Sequence, residues 1–469
     1  MNKYFYITLL ATLLSCDKGF EELNQNPNQS MNVNPNYLLS QSLIKGSGQF
    51  STGVHTEIWT LMEWMQMLAD LYEPNNPGNF YAYSSGWNEE LWKEWYVDAL
   101  MPIQTIMNNV SEDENTNLYQ IARIWKVFLF HRITDLWGSI PYSDALMGYT
   151  NNTIAPSYDH QEFIYQELQL ELDKAITQID LATEGPGNAD LIFNGNLNQW
   201  KKFASALKLR LAIRTSGVNP SQSSGTINAL LSFNHLLESN SDNVQINFYA
   251  EHLHPFYELE YTGQGMTRPS AYLIDVLKDD PRLPFYCEAT PLSQTFGVEE
   301  YVGTPNLTNA SMMSELTDFN SSSVGTHFLH PNLPSVLFSY AEQCFLLAEA
   351  SYNGLISGNA TEYYHNGIEA HMLHLGVSDE LIQNHLSQID PISLENIHLQ
   401  KWITFVYTNG YEAFAEKRRT GYPVFDTNDE VQEFPKRFVY PNSEYDLNTT
   451  NVTSVGTITA NTPLWWNNY

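Results

Sequence analysis

Apolar residues return at three- and four-residue steps in several separate stretches of this chain, and that periodicity points to an all-α or mainly α fold. The clearest stretch places Ile121, Ile124, Trp125, Phe128, Leu129 and Ile133 on one helix face, with a stop expected near Trp137-Gly138. A second helix fits Glu162 to Leu181. A third is expected to start behind Asn198 as its cap and to carry Trp200, Phe203, Ala204, Leu207 and Leu211 along one stripe. Two more are expected at Val336 to Tyr352 and Leu394 to Lys417. An amphipathic helix cannot bury its apolar face alone, so these segments should stack as helical hairpins. Trp200-x-x-Phe203-Ala204-x-x-Leu207 and Ala341-x-x-x-Phe345-x-x-Ala348 echo the large-small alternation of tetratricopeptide hairpins, without a strict period of about 34 residues.

Between the helical stretches lie long runs rich in Gly, Pro, Ser, Thr and Asn: Glu73 to Gly86, Asn219 to Thr226, Ala250 to Asn332 and Phe425 to Tyr469. Loops of that length in a compact protein usually carry function, because they project side chains that the core does not need. The helices should therefore form the scaffold and the insertions the specificity.

The first residues read as an export signal. Lys3 supplies a positive end, Tyr4 to Leu14 a short apolar run, and Leu13-Leu14-Ser15-Cys16 follows at once. The run is far shorter than the ~18 apolar residues that cross a bilayer. A small residue directly before a cysteine is the cleavage pattern of bacterial lipoproteins, in which the thiol is acylated. Residues 1–15 are thus expected to be a signal peptide, Cys16 the lipidated residue, residues 16–36 an extended tether and residues 37–469 one domain. Cys287 and Cys344 form no disulfide framework and are expected in the core.

With 22 basic and 53 acidic residues, the formal charge of -31 argues against nucleic acid and disfavours acidic polysaccharide as cargo. Aromatic residues make up 13% of the chain, more than solubility requires.

Several segments in order resemble the SusD/RagB family of Bacteroidetes outer-membrane lipoproteins. After Cys16 comes Phe20-Glu21-Glu22-Leu23-Asn24-Gln25-Asn26-Pro27-Asn28, followed by Asp135-Leu136-Trp137-Gly138-Ser139-Ile140-Pro141-Tyr142 and Ala341-Glu342-Gln343-Cys344-Phe345-Leu346-Leu347-Ala348-Glu349-Ala350. The C-terminal block holds Gln400-Lys401-Trp402-Ile403, Glu412, Arg418-Arg419-Thr420-Gly421-Tyr422-Pro423, Arg437-Phe438-Val439-Tyr440-Pro441-Asn442-Ser443-Glu444 and Asn448. The resemblance implies a SusD-like fold with tetratricopeptide-like hairpins. It also implies a cell-surface lid on a SusC-like TonB-dependent transporter, which would be the partner. Such a lid captures oligosaccharides or polysaccharide and delivers them; some relatives bind peptides instead.

Sugars offer apolar C–H faces and rings of hydroxyls, so their sites need exposed flat aromatics beside planar polar groups. Trp59, Met62, Trp64, Met65 and Leu68 suit one helix stripe and Leu91, Trp92, Trp95 and Tyr96 the next, so these are expected to be packed. The run Tyr72 to Trp87 between them has no apolar period. In the family, the loop entering the Trp92-x-x-x-Tyr96 helix supplies ligand contacts, which implicates Tyr81, Tyr83 and Trp87, with Asp70 and Asn79 as hydroxyl partners. His254, Tyr257 and Tyr261, or Phe296 and Tyr301, could form a second wall. The aromatic loop and the anionic shell favour a neutral glycan; a peptide is the alternative cargo.

A glycoside hydrolase would need a carboxylate pair, but with 53 acids neighbours such as Glu89 and Glu90 arise by chance, and no nucleophile-elbow, phosphate-loop or His-Glu-x-x-His sequence is present. No catalysis is expected. His365, His371 and His374 lack accompanying metal-ligand motifs and are expected to be structural. Asp426, Asn428 and Glu430 have the spacing that opens a calcium loop, yet the glycine and closing glutamate are missing, so no metal or cofactor is expected.

Overall fold

The computed structural model describes residues 33–48, 52–72, 77–82, 84–110, 116–148, 152–248, 253–259, 267–307, 315–425 and 433–467. Cys16, the tether, Tyr83, Tyr261 and the Asp426 to Glu430 segment lie outside them. Helix α1 spans Pro35–Gly46, and α2 (Thr52–Thr56) runs on through a π-helical turn, Glu57–Met62. Helix α3 (Ser85–Lys93) continues through a second π-helical turn, Glu94–Leu100, into α4 (Met101–Asn109). The scaffold proper is α5 (Thr116–Trp137), α6 (Gln161–Gln178), α7 (Leu197–Arg214), α8 (Pro220–Phe233), α9 (Tyr340–Tyr352), α10 (Ala360–Leu375), α11 (Asp379–Gln388), α12 (Leu394–Phe405) and α13 (Gly410–Thr420). Helix α5 packs on α6, α6 on α7, α7 on α8 and α9, and α9 on α10 and α12, so the helices stack as successive hairpins.

The periodic stretches became helices where they were expected, with instructive shifts. The third helix begins two residues early: Asn196, not Asn198, is its cap, its Oδ1 accepting from the amides of Asn198 at 3.1 Å and Gln199 at 3.3 Å. Asn196→Ala is expected to lower unfolding stability by about 1 kcal/mol and Asn198→Ala by less than about 0.5 kcal/mol, checked by urea denaturation. Val336 to Phe338 belong to a strand, because they pair with Val244–Ile246; Ser339 then caps α9, accepting from the Glu342 amide at 3.0 Å. The stretch from Leu394 to Lys417 divides into α12 and α13, since Tyr407 takes a left-handed φ of 60° and Asn409 caps the second helix. Asn219 to Thr226, expected as a loop, opens α8. Pro220 sits in its first turn, where a missing N–H is harmless, and Ser223 Oγ donates to Ala212 O at 2.7 Å.

Among the described residues, six short strands pair antiparallel in three ribbons: β1 (Leu68–Asp70) with β5 (Thr267–Pro269), β2 (Ile140–Pro141) with β3 (Tyr158–Asp159), and β4 (Val244–Ile246) with β6 (Ser335–Phe338). One continuous apolar core runs from Leu39 to Trp466. Cys287 and Cys344 lie within the buried interior as free thiols, as expected, and burial pushes both thiol pKa values up. Among the described residues no helix is long and apolar enough to cross a membrane.

Helix α7 is buried all round and carries its charges inward. Arg210 grips Glu342 with two bonds of 2.7 and 2.8 Å, and Arg214 bonds Glu412 and faces Asp135 and Glu416 at 3.6 Å. A second node joins Lys401 and Arg419 to Glu349 and Glu416. Four acids of this network, Asp135, Glu342, Glu349 and Glu412, stand in the segments that resemble the family.

Candidate functional site

The segment from Tyr72 to Trp87 was expected to carry the ligand. It begins where β1 ends and finishes in the first turn of α3. Ser84 caps that helix, its Oγ accepting from the Trp87 amide at 3.4 Å, and this turns the Trp87 indole back toward α2. There it meets Trp59, with ring centroids 5.7 Å apart and planes inclined by 33°. His55, one turn before Trp59, stacks on the Trp59 ring at 4.8 Å and 8° and lies 5.9 Å from Trp87. All three rings are half-buried. Burial lowers the His55 pKa, so the imidazole is neutral near pH 7. Trp59 Nε1 is shielded from solvent and meets no acceptor among the described residues. Three adjoining half-buried flat rings form a step that could take the face of a sugar.

A second cluster stands at the other end of the segment. Tyr72 is exposed, and its hydroxyl donates to Asp318. Arg268, opposite Ala69 in the β1/β5 ribbon, donates from Nη2 to Asp318 Oδ1 at 2.5 Å and lies 5.8 Å from the Tyr72 ring centroid. The bonds from Tyr72 and Arg268 hold the Asp318 carboxyl below its usual range despite some burial. Phe319, next in the chain, is exposed. Aromatic face, carboxylate and guanidinium are here close together at the surface.

Of the residues expected to touch ligand, Trp87 is half-buried in this step. Asp70 and Tyr81 are not part of it, because both are withdrawn into the interior. Asp70 is 1% exposed, its Oδ1 accepting from the Tyr72 amide at 2.8 Å, so it shapes the turn that presents Tyr72. Tyr81 is 4% exposed, packs edge-on against Phe434 at 5.1 Å and accepts a 3.4 Å bond from Gln66. Burial raises its phenol pKa. Asn79 belongs to a 3-10 turn, Pro77–Phe80, and its side chain lies outside the described structure. Of the second-wall candidates, Tyr257 and Tyr301 are half-buried, Phe296 is exposed and His254 is buried. Trp59, read as packed, does pack against the core yet is half-buried and part of the step, and His55, Arg268 and Asp318 were not singled out. Only the four-residue spacing of His55 and Trp59 hinted at a shared face.

Glu349, His398 and Glu416 approach one another as metal ligands would, but Lys401 and Arg419 already neutralise both carboxylates. His371 is buried with one ring nitrogen 3.1 Å from Arg282 and the other 3.1 Å from the Tyr286 hydroxyl, a structural histidine as read.

The model of the SusD-like family described as "Starch-binding associating with outer membrane" matches residues 27–441. The chain belongs to that SusD-like family. Among solved structures, a chitin-binding protein is 28% identical with a TM-score of 0.84, covering 93% of this chain and 100% of its own. A chitin-binding SusD homolog from Flavobacterium johnsoniae is 25% identical, with a TM-score of 0.77 over 92% of this chain and 97% of its own. A SusD homolog from Bacteroides uniformis is also 25% identical, with a TM-score of 0.79 over 92% and 100%. No curated protein matches this sequence significantly. The SusD-like architecture expected from the sequence is therefore the fold of this chain, and the family is one associated with the outer membrane.

Proposed function

We propose that this SusD-like protein is a non-catalytic, surface-exposed lipoprotein held by an acylated Cys16. It captures a neutral oligosaccharide and hands it to a SusC-like TonB-dependent transporter. The observation that carries the reading is the His55, Trp59 and Trp87 step, whose rings adjoin at 4.8 to 5.9 Å. Neutral sugar is favoured because the chain carries a net charge of -31, which repels polyanions. Two similar structures are of chitin-binding proteins, so N-acetylglucosamine oligomers are the first ligands to test.

Calorimetric titration of chitooligosaccharides into the protein should show saturable binding without turnover. Trp87→Ala and Trp59→Ala should each weaken it at least ~10-fold, about 1.4 kcal/mol. Binding of peptides but of no glycan would overturn the cargo, and release of shortened sugars would overturn the non-catalytic role. Cys16→Ser should move the protein from the membrane fraction to the soluble one.

A further inference from the structure

Helix α6 begins at Gln161, and the His160 side chain that precedes it makes no capping bond to the first turn. The opening amides of a helix have no intrahelical acceptors and form the positive end of its dipole. This end opens onto a pocket of about 560 Å³ whose walls include Gly138, His160, Phe163, Gln166, Arg437 and Trp465. That size falls within the range of small-molecule sites, roughly 300 to 1,000 Å³. It is remote in sequence from the aromatic step and shares no residue with it.

Arg437 supplies an independent second observation. It is only 4% exposed, yet its guanidinium has no carboxylate partner among the described residues. Nε donates to Phe438 O at 3.3 Å, the guanidinium hydrogen-bonds the Tyr440 side chain and lies 5.2 Å from its ring centroid, and Nη2 meets no acceptor among the described residues. Arg210, Arg214, Arg282 and Arg419, also buried, each hold a carboxylate, while Arg132 and Arg418 are held by neutral oxygens: Arg132 by the Ser47 carbonyl and the Asn409 side chain, Arg418 by three backbone carbonyls. Gly138, at φ 80°, makes room for the group, since a Cβ there would lie 3.0 Å from Arg437 Nη1. A buried cation without its anion is costly, and an anionic ligand would relieve that cost.

We propose that this pocket is a second ligand site that takes a sugar unit bearing one carboxylate, a hexuronic acid. The carboxylate would sit between Arg437 and the first turn of α6, and the apolar face of the ring against Trp465 and the exposed Phe163. Glu162 on the rim repels a densely charged chain, so a single acidic unit is selected and a polyanion is not.

The test is calorimetric titration of the full chain with glucuronic acid, glucose and acetate. Glucuronate should bind at least tenfold more tightly than either of the others, and saturating chitooligosaccharide should not displace it. Arg437→Gln should reduce glucuronate binding to the glucose level. Because Arg437 is buried and its replacement can impair folding, Gln166→Glu, at the exposed rim, provides a second variant and should weaken glucuronate at least fivefold with an unchanged melting temperature. Equal binding of glucuronate and glucose, undiminished binding in Gln166→Glu, displacement by chitooligosaccharide, or tighter binding of acetate or an acidic peptide would each overturn the proposal.

Discussion

Replacing Arg214 by methionine is expected to lower the unfolding free energy by about 3 to 5 kcal/mol at pH 7. The guanidinium is fully buried on α7, bonds Glu412 and faces Asp135 and Glu416 at 3.6 Å. Methionine fills much of the volume but leaves three buried carboxylates short of a cation, and an unpaired buried charge is far more unfavourable than the loss of an exposed pair. Since domains are stable by only about 5 to 15 kcal/mol, such a change would bring this one close to unfolding. Lys174 and Glu171, whose bond of 2.6 Å is on the surface, provide the contrast: Lys174→Met should change stability by less than about 1 kcal/mol. Urea denaturation of both variants decides it. An Arg214→Met protein within about 1 kcal/mol of the parent would show that the network contributes shape but little stability.

The same network makes the fold sensitive to acid. Burial alone would raise the Asp135 carboxyl, but Arg214 and His131 beside it outweigh burial and bring its pKa down to about 2. Glu349 is likewise brought to about 2, where Arg419 and Lys401 overcome burial, and Glu416 is held well below its usual range by the same two cations. In the unfolded chain these groups titrate near their ordinary values of about 4. A carboxyl whose pKa is depressed by folding contributes its full stabilisation above the unfolded value and loses it as pH falls toward the folded one. Stability is therefore expected to be little affected by these groups between pH 7 and about 5.5, then to fall by several kcal/mol between about pH 5 and pH 2. Urea midpoints measured across that range check it. In Glu349→Gln the protein should start less stable and fall less steeply, while a parent profile flat down to pH 3 would refute the assignment.

The scaffold was legible because helical periodicity is written in neighbouring residues. Ile121 to Ile133 and Trp200 to Leu211 show their buried faces directly, and α5 and α7 follow. What failed did so where distant contacts outvoted local pattern. Val336 to Phe338 continue an apolar run that reads as helix, but a partner strand some ninety residues earlier claims them. Trp59, in the π-helical turn that follows α2, packs on the core as its stripe implies, but only Trp87 and His55 make it part of a half-buried step. Tyr81 sits in a run without periodicity, and Asp70 just ahead of it, but Phe434 packs on Tyr81 and the Tyr72 amide ties Asp70 inward. Arg268 and Asp318, fifty residues apart, gave no sequence sign of meeting.

Read alone, the sequence determined the helical class and, through ordered segments from Phe20 to Asn448, the family resemblance that the match over residues 27–441 bears out. Both depend on short-range patterns that survive whatever else the chain touches. Tertiary structure alone decided which rings face solvent, which buried acids meet which arginines, and that Arg437 has no acid beside it among the described residues. Exposure and ion pairing depend on atoms brought together from far along the chain, and only the packed fold supplies those neighbours.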